Sequence, residues 1–96
     1  MAAIATELTG SDQVIHAQPA GANTVPKLHG WSIAETGGGD AKVYLRSGAS
    51  NGPIVAVVTL GADESSNVSL GCPVACHGGL YVDVDSGSVE GAVYHS

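Results

Sequence analysis

The sequence predicts an all-β domain, an antiparallel β-sandwich or small β-barrel of about seven short strands. Three observations carry this. Short runs alternate apolar and polar residues with period two, the pattern of a strand with one buried face. Clusters of Gly, Ser, Asn and Pro separate those runs at spacings of roughly 8–12 residues. No long stretch keeps a helical period, and the only helical texture is a short turn over ATELTGSDQ.

Strands are expected near residues 12–18, 28–36, 41–47, 53–60, 66–70, 79–85 and 88–95. KVYLR places Val43 and Leu45 on one side and Lys42, Tyr44 and Arg46 on the other. LYVDVDSG sets Leu80, Val82 and Val84 against Tyr81, Asp83 and Asp85. VEGAVYH sets Val89, Gly91 and Val93 against Glu90, Ala92 and Tyr94. IVAVVTL is apolar on both faces and β-branched, which predicts a strand covered on both sides. DSGS between the last two runs predicts a β-hairpin, which makes Tyr81 and Tyr94 cross-strand neighbours. Residues 1–26, rich in Ala, Thr, Gly and Pro, have weak periodicity. They read as an N-terminal arm, extended and partly strand, ahead of a β-sandwich domain over 27–96. An arm of this kind is either disordered or laid on a neighbouring chain.

Composition bounds the function. The 96 residues suit one small domain. Hydrophobic residues make up 44% but aromatic ones only 4%, with no Phe, so the core must be aliphatic. Only 12% of residues are charged, against about 25% in an average domain. Net charge is −6, with Lys27, Lys42 and Arg46 the only cations. Three cations do not neutralise a run of phosphates, which argues against nucleic acid and against an anionic membrane surface. No apolar run approaches the ~20 residues that span a bilayer. MAAIATELTG lacks the basic and apolar segments of a secretory signal, so synthesis and folding in a cytoplasm are expected. A low-charge surface suits packing against neighbours.

GCPVACHGG holds both cysteines, Cys72 and Cys76, followed at once by His77. Structural zinc needs four ligands, usually in two pairs, and no second pair is present. Neighbouring side chains on an extended segment also point opposite ways, so Cys76 and His77 do not readily share a metal. A Cys72–Cys76 disulfide needs a tight turn and an oxidising compartment. The remaining reading is a Pro/Gly loop with two small, half-buried thiols, feeding the next strand. DVDSGSVE carries Asp83, Asp85 and Glu90 but misses the glycine and glutamate positions of a calcium loop; a solvated face, or pairing with Lys42 or Arg46, is expected instead. GGGD lacks the lysine and helix start of a phosphate loop. Tyr44, Tyr81 and Tyr94 fall opposite the Val/Leu positions and mark a candidate interaction face, with a sugar platform as one use. Trp31 is the candidate core anchor. No catalytic residue, cofactor or metal ligand is assigned.

LHGWSIAET, AKVYLRSGASNGPIVAVVTLGADES and GGLYVDVDSGSVEGAVY, in that order, resemble small all-β virion proteins of tailed bacteriophages. The resemblance covers about residues 28–94 and is most specific over 79–94. It implies a capsid decoration (cement) protein, or a minor structural component of head or tail, with no enzymatic activity. The partners implied are the major capsid protein and further copies of the chain, a trimer being the expectation from the class. Residues 1–26 and the CPVAC insert fall outside it.

Overall fold

The alternating runs become strands, and their apolar sides meet in one layer. The structure, a computed structural model, describes residues 3–18 and 24–96. Among the described residues eight strands follow in order: β1 (Ile4–Glu7), β2 (Gln13–Ala17), β3 (Lys27–Glu35), β4 (Ala41–Ser47), β5 (Ile54–Leu60), β6 (Ser65–Ala75), β7 (Gly79–Ser86) and β8 (Val89–His95). They form two antiparallel four-stranded sheets, ordered β1-β8-β3-β6 and β2-β7-β4-β5, packed as a sandwich. Among the described residues there is no helix. ATELTGSDQ instead gives most of β1 and a bend at Gly10–Ser11.

Four expectations are corrected. Of the arm expected over 1–26, residues 3–18 are not apart from the domain, because β1 pairs with β8 and β2 with β7, each as an edge strand of one sheet, while 1–2 and 19–23 lie outside the described residues. The last two runs are not a hairpin. β7 and β8 belong to different sheets, and Gly87, with φ +80°, turns the chain across the sandwich. Only β4 and β5, among the described strands, are consecutive and paired with each other. IVAVVTL is not covered on both sides: β5 is an edge strand that leaves Ile54 and Val57 47% and 49% exposed. Finally, GCPVA is not a loop but the end of β6. Between the pairs Leu28↔Val74 and Gly30↔Ser69, residues 70–73 bulge opposite His29 alone. Pro73, which has no N–H to give a ladder, falls in that bulge on an edge strand.

The core is aliphatic, as the composition requires. Leu28, Ile33 and Val93 of the first sheet face Val43, Leu45, Leu80 and Val82 of the second, all no more than 1% exposed. Burying each such side chain contributes roughly 1.5–3 kcal/mol of transfer free energy. Trp31 joins this cluster and its indole N–H donates to Ser66 Oγ at 3.0 Å, so its one polar atom is satisfied.

Close strand approach explains one glycine in particular. Gly91, in the middle of β8, has φ +135°, and a Cβ there would collide with the Ser32 carbonyl oxygen of β3. Gly39 has open space around it. Gly91→Ala is therefore expected to lower the unfolding free energy by at least about 1–3 kcal/mol from backbone strain. Gly39→Ala should leave it nearly unchanged. Urea unfolding of the two variants measures the difference, and equal midpoints would refute this account of β8.

Candidate functional site

The three residues that invited chemistry do not converge. Cys72 is exposed on the β6 bulge, Cys76 is fully buried, and both thiols are free. The disulfide considered from their spacing is not formed, because one side chain meets solvent and the other the core. Burial pushes the Cys76 thiol up from its ordinary value, opposed by a backbone hydrogen bond at Leu28. That is the reverse of what a nucleophile needs. The Cys76 backbone bridges instead: its N–H donates to Pro26 at 2.8 Å and its carbonyl accepts from Gly79 at 3.0 Å. His77 is exposed, and its carbonyl accepts from Ser47 Oγ at 2.8 Å. Among the described residues no three His, Cys, Asp or Glu side chains come together as a metal site.

The tyrosines divide between the sheets. Tyr44 and Tyr81 share the outer face of β2-β7-β4-β5, since they alternate with buried Val43, Leu45, Leu80 and Val82. Tyr94 lies on β8 in the other sheet, opposite Ala5 and Gly30, so the three make no single platform. On the shared face Arg46 Nε donates to Asp83 Oδ2 at 3.0 Å, and its Nη1 donates to the Gly52 carbonyl at 2.9 Å. The Arg46 guanidinium and the Lys42 ammonium lie 5.1 and 5.5 Å from the Tyr44 ring centre. Asp83 thus meets a cation on the partner strand, as its position on the outer face suggests. Glu90 of the same acidic run is on β8, away from it. With Lys42 and Arg46 two residues to either side of it on β4, Tyr44 is occupied by cation–π contacts.

Two polar clusters escaped the sequence reading. Glu35, at the end of β3, is buried, yet no cation pairs with it among the described residues. Its carboxylate accepts from the N–H groups of Gly37 at 2.5 Å, Gly38 at 3.0 Å and Asp63 at 3.0 Å. The Asp63 N–H chiefly holds the carboxyl below its ordinary range; burial opposes it, and the glycine N–H groups assist. The signal was a glutamate two residues before GGGD. The second cluster joins the sheets. His16 Nδ1 of β2 and His95 Nδ1 of β8 are 2.9 Å apart, and His95 Nε2 is 2.6 Å from Thr6 Oγ1 of β1. Their rings meet edge-on at 4.9 Å. His29 Nε2 contacts Ser96 Oγ nearby at 2.7 Å. A separation of 79 residues hid the His16–His95 pair. An open groove of about 560 Å³ runs between Glu7, Thr36 and Glu90.

The chain matches no family, no curated protein and no solved structure.

The Glu35 cluster ties turns to a strand, and the His16–His95 contact ties one sheet to the other. The histidine pair gives this a pH signature. One Nδ1 must donate and the other accept. Burial, with the charges of His16 and His29, holds His95 below its ordinary value. The unfolded chain then binds more protons than the folded one below about pH 6.5. Stability is therefore expected to fall as pH drops from 7.5 to 5.5. In His95→Gln that fall should be smaller. Urea midpoints across this range measure it, and identical slopes in the two proteins would exclude His95 as the source.

Proposed function

We propose that this chain is a non-enzymatic structural protein of a bacteriophage virion, a capsid decoration (cement) protein that binds the outer shell and stabilises it. The observation that carries the reading is the resemblance over residues 28–94. Its most specific part, residues 79–94, makes β7 and β8, an inner strand of each sheet. The segment that resembles virion proteins is thus the framework of this fold and not an appendage. The scarcity of charge supports the same reading, because weak uncharged contacts gain strength when repeated over a lattice. In this reading the chain is made in the host cytoplasm and its partner is the major capsid protein. A minor tail or head-fibre component fits the same resemblance and differs in its place on the particle. A carbohydrate module is less supported, since Tyr94 is on the other sheet and Tyr44 already packs with Lys42 and Arg46.

The test mixes the purified chain with shells of the same phage that lack it. Saturable co-sedimentation, at a fixed number of copies per shell, and a raised temperature of shell disruption are expected. Absence from purified heads together with presence in purified tails would favour the runner-up. Absence from both would end the virion reading.

A further inference from the structure

The two outer faces of the sandwich are unlike. Apart from Tyr94, the first sheet shows small and polar side chains, as in the row Glu7–Ala92–Ser32–Asn67. The second shows the row Val14–Tyr81–Arg46–Ile54, one residue from each strand. Beside it runs Asp83–Tyr44–Val57. Val14, Ile54 and Val57 are 58%, 47% and 49% exposed, three of the five large apolar residues left in solvent among the described residues. The other two, Ile4 and Val74, sit near strand ends of the first sheet. The apolar surface is therefore gathered on one face.

Charge is distributed to match. Lys42 and Arg46, two of the three cations of the chain, lie on this face with Asp83 and Asp85. With Asp12, whose carboxylate accepts from the Val84 N–H at its β2 edge, the face sums to −1, so most of the net charge of −6 belongs to the rest of the molecule. It is where another copy of an acidic chain can approach with least repulsion. Arg46 is paired with Asp83, which leaves Lys42 and Asp85 as opposite charges with no ion-pair partner among the described residues.

We infer that this outer face is a self-association surface, on which a second copy packs face to face about a two-fold axis. The axis runs along the strands, between β7 and β4. Such an axis lays β7 of one copy on β4 of the other, and β2 on β5. The registers are then self-complementary. Val14 meets Ile54 of the second copy, Tyr81 meets Arg46, Asp83 meets Tyr44, and Lys42 meets Asp85. Each contact occurs twice, as an isologous interface requires. Strands in the two facing sheets stay nearly aligned, the common geometry for face-to-face sheets. Four strands about 4.8 Å apart and six residues long at about 3.3 Å each give a face of roughly 400 Å² in projection. That is a small interface, so a reversible pair is expected, with a dissociation constant in the micromolar range. The inference does not depend on the virion reading, and it gives a dimer where the class suggested a trimer.

Sedimentation equilibrium of the full chain from about 1 μM to 1 mM tests it. The mass should rise from one chain to two. Ile54→Asp should weaken the pair roughly tenfold or more, about 1.4 kcal/mol at least. Lys42→Asp should weaken it too, and Lys42→Asp combined with Asp85→Lys should restore it. Asn67→Asp on the opposite face should leave it unchanged. Thermal melts confirm that each variant is folded. Monomers throughout, a trimer, a dimer indifferent to both Ile54→Asp and Lys42→Asp, or no rescue by the charge swap would each overturn the inference.

Discussion

The buried carboxylate of Glu35 is the constraint on which the arrangement of the two sheets rests. It lies where three connections between the sheets converge. One follows β3 at Gly37 and Gly38, one precedes β6 at Asp63, and one lies between β7 and β8 at Ser88. The side chain binds the first two through three N–H groups. The backbone around it binds the second and third: Glu35 N–H donates to Glu64 at 2.8 Å and Thr36 N–H to Ser88 at 3.0 Å. Hydrogen bonds to an ionised acceptor are stronger than neutral ones. Without the carboxylate those donors would lose their partner in a poorly hydrated place, which is costly. Asp63 holds a left-handed φ of 59° in the turn that delivers its N–H. A fold that changes sheets this often needs the changes fixed, because a one-residue slip would turn every apolar face outward.

The opposite flank is closed by imidazoles in place of a carboxylate. His16 and His95 link an edge strand of the second sheet to an inner strand of the first, and Thr6 adds the first sheet's edge. Arg46 ties the loop between β4 and β5 to the outer face through Gly52. In a chain with so few charged groups, these ones are spent on connecting elements. This gives the low charge a structural meaning. Most of the surface is left to Ser, Thr, Gly and Ala, and the apolar remainder collects on one sheet.

Alternation made the strands and their buried sides legible. KVYLR correctly separated Val43 and Leu45 from Lys42, Tyr44 and Arg46, and LYVDV did the same for β7. Alternation tells which side is buried and says nothing of which strand lies next door. DSGS therefore suited a hairpin and a sheet-to-sheet turn equally, since both keep Val84 and Val89 facing inward. IVAVVTL misled for a related reason. An edge strand with an apolar outer face has the same composition as one buried on both sides. β1 and β2 were weak in the sequence because they are short edge strands, and β2 shifts register between Val14 and His16. Of the candidate site, Tyr44 and Tyr81 were placed on a common face by pattern alone. Tyr94 was added to them by the mistaken hairpin. The histidine pair and the Glu35 turn depend on contacts distant in sequence, for which no local pattern exists.

The two proposals divide the surface between them. If copies pair through the outer face of β2-β7-β4-β5, that face is no longer free for a shell. What stays available is the small-residue face of β1-β8-β3-β6 and the β6 bulge that presents Cys72 and Pro73. The face carries the carboxylates Glu7 and Glu90, the bulge carries no charge, and Cys72 and Pro73 of the bulge belong to the insert outside the phage-like pattern. A shell contact made there would be individually weak, because Tyr94 is the one aromatic side chain among the described residues of that face and the face has no arginine. Pairing would supply what the contact lacks, since two linked copies bind two lattice sites with an effective concentration that one copy does not have. Self-association and attachment would then be coupled, and disrupting the pair would weaken decoration without altering any residue that touches the shell.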